Sequence, residues 1–331
     1  MKQILNIFSP DLQFFHPERY QGFGQKPVYF EGWYFKLTPV AGMSLAVIPG
    51  IFKGPSLAES YAFIQVLDGR HSRSCFLQFA LEEFWSARND FQVKIGPNYF
   101  SPSLLRLNLG CQGMQLKGEL SFDGLKPWPV TLASPGAMGC FAYLPFLECR
   151  HGILSMDHII SGKLQVCGKT VNFNSGRGYL EKDWGHSFPR TWVWLQCNQF
   201  AAKGISLTAS IASVPIFNRE IKGFIIGLYY QDRLLRFTTY NRARLEQLEI
   251  DEERVEFMVS NRDYRLNVRA QAEQFFLLYS SDGEKMVKNV RETLQARVEV
   301  SLQDKSGRVL WHDLSQRAGL EINGDIMDLN I

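Results

Sequence analysis

Apolar residues in this chain recur at every second position, in short runs broken by turn residues about every 10 to 15 residues. The runs at 28–37, 44–52, 62–67 and 74–79 are rich in β-branched and aromatic residues, and Gly, Pro or Asp-Gly separates them. Further runs lie at 91–95, 104–109 and 114–122. Leu164 and Val166 then alternate against Val171 and Phe173 around Cys167-Gly168-Lys169, as in a β pair. The second half continues at 205–214, 223–230, 234–239, 254–260, 264–270, 275–279, 296–302 and 309–312. Helical spacing is confined to one turn at 81–87 and to 284–294, where Met286, Val290 and Leu294 predict a helix. A long chain of short strands predicts an all-β fold of antiparallel sandwiches or up-and-down barrels. Closure into barrels also removes exposed strand edges.

One stretch, 179–200, is unlike the rest. It gathers Trp184, Trp192, Trp194, Glu181, Asp183, His186, Arg190 and side-chain amides, more polar groups than a core segment needs. Its second half alternates. Val193, Leu195 and Cys197 share one parity and predict a packed face; Trp192, Trp194, Gln196 and Asn198 share the other. Aromatic surface with a few placed hydrogen-bonding groups is the pattern of a cavity wall. Near the start, Trp33, Phe35 and Leu37 likewise oppose Tyr34 and Lys36. A faint echo links Glu31-Gly-Trp33 with the region from Glu181 to Trp194, and predicts two similar halves: an N-terminal domain at 1–176 and a C-terminal domain at 177–331.

Composition excludes several classes. With 45% hydrophobic residues and a net charge of +3, the chain forms a core and carries no basic-aromatic patch, so no nucleic-acid partner is expected. The six cysteines stand singly without Cys-x-x-Cys, which predicts reduced structural thiols. His151, His158 and His186 lack metal spacing, and no metal or other cofactor is expected. Residues 1–10 hold too short an apolar run for a secretory signal, and no run approaches a membrane helix, so a soluble, cytoplasmic protein is expected. Gly185-His-Ser-Phe-Pro189 lacks the final glycine of a lipase elbow, and Gly22-Phe-Gly24 lacks the third glycine of a phosphate loop.

The segment Tyr-Leu-Glu-Lys-Asp-Trp-Gly-His-Ser-Phe-Pro-Arg-Thr-Trp-Val-Trp-Leu-Gln-Cys-Asn-Gln-Phe at 179–200 resembles the tocopherol cyclase family's Glu-Lys-Asn-Trp-Gly-Gly-x-Phe-Pro-x-x-Trp-x-Trp-x-Gln-x-Asn-x-Phe. Glu31-Gly-Trp-Tyr-Phe, the segment from Phe146 through Glu148 to His151, and Gly319-Leu-Glu-Ile-Asn-Gly324 extend the match over most of the chain. The resemblance implies the lipocalin-like superfamily that includes carotenoid hydratases and Diels–Alderase-type cyclases. Its members pack two lipocalin-like β domains side by side around a hydrophobic pocket. It further implies binding, and cyclisation or hydration, of a prenyl-quinol, an isoprenoid or a similar polyene. Such a ligand can come from a membrane, so transient contact at a membrane surface is an expectation for this chain. This chain has Asp183 where the plant pattern has Asn, and His186 where it has Gly.

Closing a chromanol ring requires protonating an alkene and capturing the cation with a phenolic oxygen. That needs a carboxylic acid kept protonated, aromatic faces near the cation and a dry pocket. Glu181, Asp183, Glu31 and Glu148 are the candidate acids. Trp33, Tyr34, Trp184, Trp192 and Trp194 are the candidate ring faces, and His151, His186, Gln196 and Asn198 the candidate polar contacts. Each has a structural alternative. Glu181 and Asp183 can form an ion-pair cluster with Lys182 and Arg190, Glu31 can pair with a buried arginine, the tryptophans can plug a barrel, and Asp157-His158 can be a surface turn. A non-catalytic carrier of an isoprenoid or other hydrophobe is the competing function.

Overall fold

The computed structural model describes residues 13–69, 73–111, 113–216 and 219–329; the 1–10 segment lies outside them. The fold is all-β, with two antiparallel sheets of the lipocalin-like kind, and its helical pieces among the described residues are short 3₁₀ turns. The first half holds β1 (Tyr29–Thr38), β2 (Leu45–Lys53), β3 (Tyr61–Asp68), β4 (Arg73–Phe79), β5 (Phe84–Ser86), β6 (Val93–Ile95) and β7 (Asn98–Phe100). It continues with β8 (Leu104–Cys111), β9 (Met114–Asp123), a small hairpin β10 (Val130–Thr131) and β11 (Ser134–Pro135), then β12 (Cys149–Val166), β13 (Lys169–Asn172) and β14 (Gly176–Gly185). Apart from that hairpin these strands form one sheet in the order β4-β3-β2-β1-β14-β12-β9-β8-β7-β6-β5, with β13 on β12.

The second half holds β15 (Trp192–Cys197), β16 (Ser206–Ile216), β17 (Arg219–Tyr230), β18 (Arg233–Thr238) and β19 (Arg244–Ile250). It ends with β20 (Arg254–Ser260), β21 (Tyr264–Gln271), β22 (Phe276–Ser281), β23 (Met286–Asp304) and β24 (Val309–Asn323). Their sheet runs β18-β17-β16-β15-β24-β23-β21-β20-β19, with β22 on β23.

Strand parity sorts the side chains into three apolar bodies. Trp33, Phe35 and Leu37 of β1 enter the first core with Val47, Ile64, Leu105 and Leu120. Val193, Leu195 and Cys197 of β15 enter the second with Leu207, Phe257, Val268 and Val300. The opposite parities meet between the sheets: Tyr34 from β1, Tyr179 from β14, Trp192 and Trp194 from β15, Val290 and Leu294 from β23. Hydrogen bonds stitch this middle layer. Ser206 donates to the Met156 carbonyl at 2.5 Å, Asn198 to the Gly178 carbonyl at 2.9 Å, and Gln65 and Tyr279 exchange bonds at 2.7 and 2.8 Å.

Four expectations are revised. The helix at 284–294 is the start of β23, because Met286, Val290 and Leu294 have even spacing as well as helical spacing. At 81–87 a 3₁₀ turn, Leu81–Glu83, leads into β5. The division at 176/177 falls at the first residue of β14, yet β14 sits inside the first sheet between β1 and β12, so the chain changes sheets only after Gly185. Cys75 and Cys111 are joined by a disulfide, where the first sheet curls until β4 meets β8; strands 36 residues apart in sequence become neighbours only on that closure.

Candidate active site between the sheets

A cavity of about 210 Å³ opens between the two sheets. Phe30, Ile48 and Phe63 form its first-sheet side; Leu278, Met286 and Val290 its second-sheet side; Phe188 comes from the link between β14 and β15, and Met138, Phe141 and Leu147 from the long connection between β9 and β12. Into this apolar space point four carboxyls and one imidazole: Glu181, Asp183, Glu292, Glu321 and His151.

Register explains the grouping. In the first sheet Tyr34 is paired with Glu181, and His151 with Asp183. In the second, Trp194 and Glu292 are both paired with Glu321. Trp194 lies across β24 because residue 319 is glycine; a Cβ there would come within 2.7 Å of the indole.

The polar contacts are specific. Tyr179 donates its hydroxyl to Glu181 Oε2 at 2.5 Å, and Trp194 Nε1 donates to the same oxygen at 3.0 Å. His151 Nδ1 lies 2.8 Å from Asp183 Oδ1, and its Nε2 lies 3.7 Å from Glu181 Oε2. Trp192 Nε1 donates to Glu321 Oε2 at 2.6 Å, and the Tyr34 hydroxyl donates to Glu292 Oε1.

Burial disfavours charge, and here it raises the carboxyls. It lifts Glu181 to about 7, against the pull of His151. It lifts Glu292 above the carboxylate range, against the Tyr34 hydrogen bond and with help from Glu181. Burial and then Glu292 push Glu321 well above the carboxylate range. His151 goes the other way: burial lowers it, but Asp183 and Glu181 outweigh that and hold it at about 9. The result is an imidazolium paired with Asp183 and Glu181, with the raised carboxyls of Glu292 and Glu321 further along the aromatic wall. His151, Glu181 and Asp183 each have a donor atom within 4.8 Å of the others, but a protonated imidazole has no lone pair to give a cation. The absence of histidine spacing in the sequence did not weigh donors assembled across β12 and β14.

The candidates named from sequence separate cleanly. Glu181, Asp183, His151, Tyr34, Trp192 and Trp194 line the cavity. Trp33 and Trp184 do not; both belong to the first core. Gln196 and Asn198 share the tryptophan parity but are spent elsewhere. Gln196 Oε1 accepts from Lys36 Nζ at 2.8 Å, and Asn198 Nδ2 donates to Asp157 Oδ1 at 3.2 Å. Glu31 is fully buried away from the cavity, where Lys182 Nζ at 2.6 Å, Tyr29 and the Gln21 amide hold it; its partner is a lysine, not an arginine. Burial pushes Glu31 up and Lys182 down, against the attraction of the pair. Glu148 and His186 are exposed, and His186 Nδ1 bonds the Val28 carbonyl at 2.6 Å. Asp157 and His158 are buried rather than at a surface turn, and Arg177 pairs with Asp157. Lys182 serves Glu31 and Arg190 is exposed, so the ion partner of Glu181 and Asp183 is His151.

Glu292 and Glu321 were not among the candidates. The signal for Glu321 lay in Leu320-Glu321-Ile322, a carboxylate between two apolar residues on a regular strand. That for Glu292 was its parity with Val290 and Leu294, hidden by the helical reading.

The family model described as tocopherol cyclase-like matches residues 117–324. The maize (Zea mays) protein named "Tocopherol cyclase, chloroplastic" is 22% identical over 265 residues, a match covering 64% of this chain and 56% of that protein. The chain thus spans about half the length of the curated relatives it matches. Among solved structures, CghA superposes with a TM-score of 0.57 at 11% identity, covering 91% of this chain and 90% of that one. CghA with Sch210972 gives 0.55 at 11%, covering 90% and 89%. At such identities the likeness is one of fold. No helix among the described residues is long and apolar enough to cross a membrane. With its family match running from β9 to the end of β24, the chain belongs to the tocopherol cyclase-like family.

Proposed function

We propose that the chain catalyses acid-initiated cyclisation or hydration of a prenylated quinol or a similar lipophilic polyene. One observation carries this reading: carboxyls held toward their acid form stand against indole and phenol rings in an apolar cavity. A carrier of hydrophobes has no use for such acids. The proton goes to an alkene carbon; Trp192 and Trp194 offer their faces to the cation that results. Exclusion of water decides between an internal phenolic oxygen and a single admitted water as its captor. His151, charged and oriented by Asp183, is placed to hold the quinol oxygen.

At about 210 Å³ the cavity is smaller than the roughly 300–1,000 Å³ usual for a drug-sized ligand. It suits a ring and its first prenyl unit, with the rest of the tail leaving through the mouth. CghA, of this fold, was crystallised with Sch210972, which accords with a small organic ligand here. The exposed Val130, Leu132 and Tyr143 belong to the same connection as Met138 and Phe141 of the cavity wall. They favour uptake of the ligand at a membrane surface.

The test is incubation with a panel of prenylated quinols, followed by mass spectrometry. The expected product has unchanged mass, or mass raised by one water. Ligands that bind and return unchanged from every incubation point to a carrier instead.

A further inference from the structure

Two of the cavity carboxyls face each other across one rung of a strand ladder. Glu292 of β23 and Glu321 of β24 are direct partners in register. Each has one oxygen pinned by a donor from another strand. Tyr34 of β1 donates to Glu292 Oε1, and Trp192 of β15 donates to Glu321 Oε2. Glu292 Oε2 is buried, and no donor among the described residues reaches it. A buried carboxylate oxygen without a donor is costly, and two adjacent carboxylates cannot both stay ionised in an apolar space. Among the described residues no cation bonds the pair, although Lys36 is near enough to act on Glu292. Lys36 Nζ directs its hydrogens to Gln196 O, Gln196 Oε1 and Arg317 O. The other acids facing the pair, Glu181 and Asp183, are engaged with His151. The missing donor is a proton on the pair itself.

We propose that Glu292 and Glu321 share one proton, act as a single acid unit and supply the proton that starts the reaction. This rests on the acid-initiated reading above. The alkene π pair forms the new C–H bond with that proton, leaving a tertiary cation on the neighbouring carbon. The unit is then two carboxylates, and the new cation balances the charge it has gained. This interaction exists only after transfer, so it favours the transition state over the bound substrate. Attack by the phenolic oxygen, or by water, forms the C–O bond and releases an O–H proton. That proton returns to the pair, and no net proton is consumed. Tyr34 and Trp192 are positioning residues, which hold the outer oxygens so that the inner ones meet.

The probe is a hydroquinone whose side chain carries an N,N-dialkylamine in place of the prenyl alkene. The amine binds as its ammonium and mimics the cation; the shared proton leaves to solvent, so the ammonium stands beside two carboxylates. Affinity is read on the full chain by indole fluorescence. Glu292→Gln and Glu321→Gln are each expected to weaken binding by about tenfold or more, and the double variant no further than either, because the pair acts as a unit. Losses that multiply in the double variant overturn the proposal. So does a loss confined to Glu181→Gln. Should the Gln variants fail to fold, Tyr34→Phe and Trp192→Phe remain; each is expected to weaken the amine less, and unchanged affinity in both overturns the proposal. Amine binding that depends on the pair, with all prenyl-quinols returned unchanged, upholds the pair and removes the substrate class. Prenyl-quinol conversion at wild-type rate in both Gln variants removes the pair and leaves the functional reading standing.

Discussion

His151 is an imidazole that burial alone would neutralise, and two carboxylates reverse that outcome. Its pKa is held at about 9 in the folded chain, above the ordinary value of 6.5. The stability this contributes is therefore fully present below pH 6.5 and is lost as pH rises through about 9. Asp183→Asn should bring the imidazole pKa down, as followed by ring-nitrogen NMR. It should also cost about 1.5–3 kcal/mol at pH 6, a difference that shrinks above pH 9. An unmoved imidazole pKa contradicts the assignment. The residues of this site differed in how readable they were. Trp192 and Trp194 could be placed because alternation within six residues separated them from Val193 and Leu195. Gln196 and Asn198 obey the same alternation, yet parity gives only a direction. It could not reveal that Lys36 and Asp157 wait further along the same face.

At the scale of elements, the site is made by register. β14 lies between β1 and β12, and so brings Tyr34, Glu181, Asp183 and His151 together from strands far apart in sequence. The consecutive strands β23 and β24 bring Glu292 and Glu321 together by their pairing. The strands themselves were legible, since period-two alternation is local; their partners were not, since pairing depends on closure of a whole sheet. β23 shows the limit well. Residues 286, 290 and 294 satisfy a helix and a strand face equally, and reading a helix concealed that Glu292 shares their face. β14 also carries a steric requirement. A Cβ on Gly178 would fall 2.0 Å from His158 Nε2, whose ring is fully buried beside Phe122. Gly178→Ala should therefore destabilise the chain by about 1–3 kcal/mol, the usual cost of overpacking, as measured by the denaturant midpoint. A midpoint unchanged from wild type means that His158 can move aside.

For the whole molecule, two sheets enclose a core each and share a third apolar layer in which the cavity lies. The layer is held by buried polar bonds as well as by packing. Lys36 of the first sheet reaches Gln196 and the Arg317 carbonyl of the second, and Tyr179 meets Thr208 at 3.0 Å. The Cys75–Cys111 disulfide closes a loop of 36 residues at the seam of the first sheet. By chain entropy a loop of that size contributes about 4 kcal/mol. Replacing both cysteines with serine should lower the thermal midpoint of the protein, and equal midpoints contradict a closed seam. His158, pushed down to about 3 by burial, acts on the whole fold too. Its contribution is present above pH 6.5 and is lost as pH falls through about 3. On the proposed mechanism a buried carboxyl of the cavity gives a proton to carbon, a step that turnover of a prenylated quinol in D₂O reads out. One non-exchangeable deuterium is expected at the former alkene carbon of the product, and no product from the Glu292→Gln/Glu321→Gln double variant. A product made in D₂O without carbon-bound deuterium contradicts it.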